Sequence, residues 1–315
     1  MSGKNVTEVL PADEKGIARA AEVLARGGLV AVPTETVYGL AARADDPDAV
    51  ARIYAAKGRP SFNPLIVHVQ DLAQAGLYAD FNQRALELAE DYWPGPLTLV
   101  LPAKSDTNLA PAVTAGLPTI ALRVPEHPVM RSLLGVAGFG LAAPSANRSG
   151  FISPTTARHV LTSLDGRVDL ILDAGATRAG IESTIVAVRS DGSIEELRPG
   201  PLQLGHRAED NVVGADRNIE APGQMASHYA PGKPMRLNAQ SREGDEFMIG
   251  FGEVPGDCTL SPSGNLLEAA SRLYDCLHLA AVAKQSRIAV ATVPNEGVGR
   301  AINDRLRRAA APPNT

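Results

Sequence analysis

Cysteine is nearly missing from this chain: Cys258 and Cys276 are the only two in 315 residues. They have no third or fourth partner, so neither a zinc spacing nor a disulfide framework is expected, and a reducing compartment suits them. No apolar run approaches the roughly 18 residues that a membrane-spanning helix needs. The opening MSGKNVTEVL lacks the basic-then-apolar order of a secretory signal. These absences make the cytoplasm the expected location. An excess of positive charge is missing too, since the formal net charge is -5. That argues against broad wrapping of a nucleic acid and requires any phosphate site to be a local cluster of cations. Aromatic residues make up 4%, so packing must rest on Leu, Val, Ile and Ala.

Several nucleotide and hydrolase signatures are also absent. There is no GxxxxGK[ST], no GxGxxG after a strand, no HExxH and no GxSxG. A bound nucleotide therefore calls for a less common fold. What remains is ordinary globular material, 44% hydrophobic and 21% charged. Its length suits two domains.

Residues 13–27 place Ile17, Ala20, Ala21 and Leu24 at helical spacing, and Gly27-Gly28 ends the pattern. LVAVP follows as a short buried strand leading into the polar turn TETVYG. Asp46 as N-cap, Pro47 in the first turn and Gly58 at the far end delimit another helix. Further strands are expected at 65–69, 97–101, 119–124 and 140–147, and near 168–172, 184–188 and 194–198. Helices are expected over 82–92 and 155–164 and near 127–134. This alternation predicts an α/β fold with a twisted mixed sheet covered by helices. Residues 206–233 are polar, rich in Gly and Pro, and break the pattern. Beyond them, strands at 246–251 and 287–292 alternate with helices at 264–283 and 300–309. The expected division is a catalytic domain over 1–213, a linker or lid over 214–234, and a smaller C-terminal α/β domain over 235–315.

Four clusters could carry chemistry. Lys57 and Arg59 lie just past a helix end beside Pro60 and Pro64, where two cations on a stiff loop can grip polyphosphate. Alone, the same residues read more simply as a helix stop. Pro144–Gly150 gathers hydroxyls, an amide and a guanidinium directly after an apolar strand, the end at which open α/β sheets bind ligands. Its plain reading is a polar turn. The other two are Gly180–Ile185 with Leu197–Gly200, and His228–Pro231 in the linker.

Taken together and in order, PTETVYGLAA, KGRPSFNPLIVHV, WPGPLTLVL, LRVP, APSANRSG, ESTIV, LRPG and HYAP resemble the Sua5/YciO/YrdC family over about residues 15–231. The tail INDRLRRAA and the small second unit are similar to the extra domain of the two-domain Sua5 type. The resemblance implies a YrdC-like fold with a deep, cation-lined cavity. It implies a nucleotidyltransferase that condenses L-threonine, bicarbonate and ATP into L-threonylcarbamoyladenylate and pyrophosphate, for formation of N6-threonylcarbamoyladenosine in transfer RNA.

The family's paired KxR and SxN signature falls on Lys57, Arg59, Ser145 and Asn147. Positions matching its nucleotide contacts are Arg59, Asn63, Thr119, Ser145, Ser153, Arg198 and Tyr229. Those matching its threonine contacts are Thr36, His68, Arg123, Ala143 and Ser183, with Thr34 near enough to serve in place of Thr36. The segment around Tyr229 is expected to fold over the cavity mouth. Mg²⁺ is expected to arrive with ATP, and no protein metal site is expected. Implied partners are the downstream proteins that move the threonylcarbamoyl group onto tRNA, with at most weak RNA contact and no membrane. Two other readings stay open: a nucleic-acid-binding module without catalysis, and a carbamoyl-adenylating enzyme of the hydrogenase-maturation kind.

Overall fold

The computed structural model describes residues 6–204, 220–224 and 227–312. Its first part runs β1 (Glu8–Pro11), α1 (Glu14–Ala25), β2 (Val30–Pro33), β3 (Tyr38–Arg43), α2 (Pro47–Lys57), β4 (Ile66–His68), α3 (Leu72–Ala75) and α4 (Gln83–Tyr92). It continues through β5 (Leu97–Pro102), β6 (Thr119–Arg123), α5 (Pro128–Ala137), β7 (Leu141–Ala142), α6 (Ala157–Leu164), β8 (Leu170–Asp173), β9 (Thr184–Val188) and β10 (Ile194–Arg198). These strands form one ten-stranded sheet in the order β1-β8-β2-β3-β7-β4-β6-β5-β9-β10. The sheet is mixed. β4 runs parallel to β6 and β5 to β9, whereas β2–β3, β5–β6 and β9–β10 are antiparallel.

The second part comprises β11 (Met235–Ala239), β12 (Glu246–Gly250), β13 (Cys258–Thr259), α7 (Leu266–Val282), β14 (Arg287–Ala291) and α8 (Gly299–Ala310). Its four strands lie in the order β11-β14-β12-β13 and are parallel throughout. The chain thus combines a large twisted mixed sheet with a smaller parallel one. Among the described residues no helix is long and apolar enough to cross a membrane. Of the linker expected over 214–234, residues 214–219 and 225–226 lie outside the described residues.

Local chemistry accounts for the element ends that matter to the site. In α2 the Asp46 carboxylate accepts from the backbone N–H groups of Asp48 and Ala49, and Gly58 takes the left-handed conformation with φ 59°. The helix therefore stops on Lys57 and turns the chain toward Arg59. The turn expected over TETVYG is shorter than the sequence suggests. The Thr34 hydroxyl accepts from the N–H groups of Thr36 and Val37 and donates to the Val37 carbonyl. This closes the turn within four residues, so Tyr38 is already in β3. The strand expected over 140–147 reduces to the two residues of β7, because Pro144 supplies no N–H to a ladder.

The two parts share packing. Val37, Ile152, Ile181 and Tyr229 belong to the same apolar cluster as the core of the smaller sheet. Gly180 sits at the closest approach, with φ +73°, and a β-carbon there would lie 2.4 Å from Ser271 Cα in α7. Gly180→Ala is expected to lower stability by about 3 kcal/mol, through both strain and overpacking, as read from the urea midpoint. A midpoint within error of the unaltered chain would show that α7 yields freely at this contact.

Candidate active site

Strand register sets the floor of the site. In the parallel pair β4–β6, Ile66 lies opposite Ala121 and His68 opposite Arg123, so the polar pair sits side by side at the carboxyl end of both strands. The turn after β2, the loop after β7, the start of β9 and the end of β10 converge on this point. Together with residues 222–223 and 228–229 they line one cavity, of about 40 Å³ with the chain closed around it.

One side of the cavity is a charge-balanced corner. The Arg123 guanidinium donates to Glu35 at 2.6 Å, to the Thr36 hydroxyl at 3.0 Å and to the Gly95 carbonyl at 3.2 Å. Glu35 also accepts from the backbone N–H groups of Glu126 and His127. Burial pushes its carboxyl up, but the Arg123 charge and these donors outweigh it and hold the carboxyl below its usual range. Three of the five guanidinium N–H groups are thereby used, leaving two for a ligand. Beside Arg123, burial and the guanidinium charge lower the His68 imidazole to about 3, so it is neutral at physiological pH. Its Nδ1 is buried and has no hydrogen-bond partner among the described residues. Thr36 and Thr34 both line the space. Because the Thr34 hydroxyl caps the turn, Thr36 is the one that meets Arg123. Ala143 forms an adjoining wall.

The opposite side carries arginines that make no direct ion pair. Arg59 donates to the carbonyls of Asn63 and Pro64, and Arg198 to the carbonyls of Ser183 and Pro222 and to the Ser183 hydroxyl. Neither lies within ion-pair distance of a carboxylate among the described residues. Burial lowers Arg59 to about 10 and also lowers Arg198, yet both remain cations at neutral pH. Ser183 is fixed further by a 2.8 Å bond between its hydroxyl and that of Thr98, a residue on β5 that was not among the expected contacts.

Lys57 and Asn147 are placed behind this wall rather than in it. Lys57 Nζ donates at 2.5 Å to the carbonyls of both Ser145 and Asn147, which ties the end of α2 to the loop after β7. Asn147 Nδ2 donates to the carbonyls of Arg148 and Phe151, while Ser145 lines the cavity. The four signature residues therefore meet in one place, with Arg59 and Ser145 facing the space and Lys57 and Asn147 shaping the loop.

Three other expected contacts do not line the cavity. Asn63 lies buried on the Arg59 loop. The Ser153 hydroxyl is used at 2.5 Å on Glu182. Thr119 shares a face with Ala121 and Arg123 by strand alternation, but it sits at the far end of β6, past a small apolar cluster that includes Ala121 and Ala221. Tyr229, at φ 63°, lines the space, and its buried hydroxyl has no partner among the described residues. Residues that were not among the expected contacts also line it. Gly223 lies against Tyr229 and Arg198, where a β-carbon would meet the Tyr229 hydroxyl at 2.9 Å. Glu182 and His228 are the others with titratable side chains.

Among the described residues no three His, Cys, Asp or Glu side chains gather as a metal site. The groups around the cavity are chiefly guanidinium cations and hydroxyls, which suit phosphate oxygens; a divalent ion would be held by those phosphates rather than by the protein. Arginines without counter-ions beside a neutral imidazole and a balanced guanidinium can hold a polyanion against a smaller zwitterionic molecule.

A family model described as "Telomere recombination" (Sua5/YciO/YrdC) matches residues 22–200, and one described as "Threonylcarbamoyl-AMP synthase, C-terminal domain" matches residues 177–311. The threonylcarbamoyl-AMP synthase of Bacillus subtilis is 40% identical, over 97% of this chain and 96% of that one. The protein of that name from Pyrococcus abyssi is 37% identical over 95% of each chain. The crystal structure of P. abyssi Sua5 complexed with L-threonine superposes with a TM-score of 0.87 at 35% identity, covering 97% of both chains. On these matches the chain belongs to the Sua5/YciO/YrdC family, in the form that carries the Sua5 C-terminal domain.

Proposed function

We propose that this chain is an L-threonylcarbamoyladenylate synthase, which condenses L-threonine, bicarbonate and ATP and releases pyrophosphate. The observation that carries the reading is the division of one cavity into two halves: Arg59 and Arg198 without carboxylate partners on one side, Arg123 and His68 on the other. A relative of the same name has been solved with L-threonine. We assign the second half to threonine, whose carboxylate takes the two remaining Arg123 N–H groups while Thr36, Ser183 and the Ala143 wall fix its side chain. Neutral His68 offers its unpartnered nitrogen to the amine without adding a competing charge.

In this scheme the amine and bicarbonate form a carbamate with loss of water. A carbamate oxygen then attacks the α-phosphorus of ATP, and the bond to the bridging oxygen breaks to release pyrophosphate. The carbamate is itself the nucleophile, so the protein supplies position and charge rather than a covalent partner. Arg59 and Arg198 are fixed before substrate arrives and face the charge that builds on the phosphates. Lys57 and Asn147 hold the loop that presents Ser145. We assign the nucleotide to Arg59, Ser145, Arg198 and Tyr229, with Asn63 and Ser153 supporting from behind and Thr119 at the far end of the same sheet face. Mg²⁺ bound to the triphosphate would neutralise part of its charge, with Arg59 and Arg198 left to hold the rest. Closure by Tyr229 keeps water from a carbamate that hydrolyses readily. We likewise divide the chain into a catalytic domain over 1–213 and a smaller domain over 235–315, joined by 214–234. We place the reaction in the cytoplasm, where its product passes to proteins that modify tRNA.

The test is pyrophosphate release from pure protein given ATP, Mg²⁺, bicarbonate and labelled threonine. Release that requires both threonine and bicarbonate, with label appearing in an adenylate, is expected. Release that ignores the omission of threonine would remove the assignment.

A further inference from the structure

Glu182 is a carboxylate at the edge of a cavity assigned to a polyanion, an arrangement that works against binding unless its charge is cancelled. The cancelling group comes from the other sheet. Arg305, on α8, is completely buried, and its Nε donates to Glu182 at 3.0 Å. Its Nη1 donates to the Pro199 carbonyl at 2.8 Å and to Asp304 at 3.0 Å. Tyr274, on α7, donates its hydroxyl to the same Glu182 carboxylate at 2.8 Å.

We propose that Arg305 is a positioning residue of the active site: from the C-terminal part of the chain it neutralises Glu182, and so keeps the cavity receptive to ATP. The inference rests on the assignment of the cavity to ATP and goes beyond it, because neither Arg305 nor Tyr274 lines the space.

Three features converge on this reading. Glu182 directly precedes Ser183, whose carbonyl and hydroxyl hold Arg198, so its anchoring sets the position of a phosphate-facing cation. Glu182 also accepts from the Ser153 hydroxyl, which fixes the segment leading into α6. Tyr229 lies between the groups: its ring stacks on Tyr274 with centroids 5.6 Å apart, and the Arg305 guanidinium carbon is 5.4 Å from its centroid. One guanidinium thus balances the acidic group, holds the Pro199 carbonyl just after β10 and supports the aromatic cover. Removing it leaves a buried carboxylate without its direct ion pair, facing incoming phosphates.

The test compares KM for ATP and kcat in pyrophosphate release across Arg305→Met, Tyr274→Phe and the double variant Arg305→Met/Glu182→Gln. Arg305→Met is expected to raise KM for ATP by about tenfold or more, with kcat falling less. Tyr274→Phe removes one donor and keeps the charge balance, so a rise of about two- to threefold is expected. The double variant removes both charges and is expected to return KM to within about threefold of the unaltered protein. That recovery separates charge balance from a purely structural contact, which the second substitution would only damage further.

If Arg305→Met does not fold, the double variant decides. Folding with near-normal KM supports the inference, and failure to fold or an unrecovered KM overturns it. An unaltered KM in a folded Arg305→Met also overturns it, while leaving the function intact. If the unaltered protein releases no threonine-dependent pyrophosphate, the functional assignment fails and this inference with it.

Discussion

Arg59→Ala is expected to lower pyrophosphate release by about 10³-fold while leaving the chain folded. Its guanidinium is buried, is held by two carbonyls and has no carboxylate partner among the described residues. Its charge is therefore fully available to the phosphates. Preorganised cations of this kind act where negative charge grows during phosphoryl transfer, and removing one costs more in the transition state than in the ground state. The loss should accordingly appear mainly in kcat. Lys57→Met provides the contrast. The Lys57 ammonium spans the carbonyls of Ser145 and Asn147, and burial together with the Arg59 charge pushes its pKa well below the ordinary lysine range. Its loss should loosen the loop after β7 and raise KM as well as lower kcat. Equal and purely kcat-directed effects at the two positions would contradict the separation into a phosphate-facing and a loop-holding cation.

Acid should destabilise the protein steeply between pH 6.5 and pH 4. Four buried histidines are kept neutral by burial: His68 and His228 near 3, His159 and His278 near 4. In the unfolded chain each protonates near 6.5. As pH falls below that value, the unfolded state takes up protons that the folded state refuses, so stability present at neutral pH is lost in that window. With about four protons taken up on unfolding near pH 5, the slope reaches about 5 kcal/mol per pH unit. Glu182, which burial raises but Arg305 and Arg198 bring down to about 2, steepens the loss below pH 4.5. Urea midpoints at pH 7, 6 and 5 measure this directly. A flat series across that range would mean that these imidazoles find water or partners in the folded state.

How far the sequence could be read follows the distance between interacting residues. The ends of α2 were legible because Asp46, Pro47 and Gly58 act on their own neighbours. The helices over 82–92 and 155–164 were legible from periodicity, with Asn82 and Thr156 as the caps. β1 was missed, since an edge strand with mostly exposed positions carries no alternating apolar signal. β3 was read as turn because its start depends on where the Thr34 hydroxyl closes the preceding bend. β11, partly exposed along its length, was lost in the polar segment around it.

The site divides in the same way. The ordered motifs led to Arg59, His68, Arg123, Ser145, Ser183, Arg198 and Tyr229, all of which line one cavity. The sequence had no means of showing that Lys57 points into the loop behind it, or that the Ser153 hydroxyl is used on Glu182. Glu35 was visible only as a polar residue in a turn, and its pairing with Arg123 spans 88 positions. Arg305 lay in a tail recognised by resemblance, with no local feature marking its partner.

The Glu182–Arg305 pair also bears on how the molecule is made. The two residues are 123 positions apart, so at roughly 5–20 residues per second the ribosome delivers the arginine about 6–25 s after the glutamate. Throughout that interval the larger sheet can form, but its nascent pocket holds an acid that lacks its ion-pair partner and has only the more distant Arg198 charge to offset it. Ligand capture is then disfavoured until α8 emerges and docks, which ties competence of the site to translation of the second sheet.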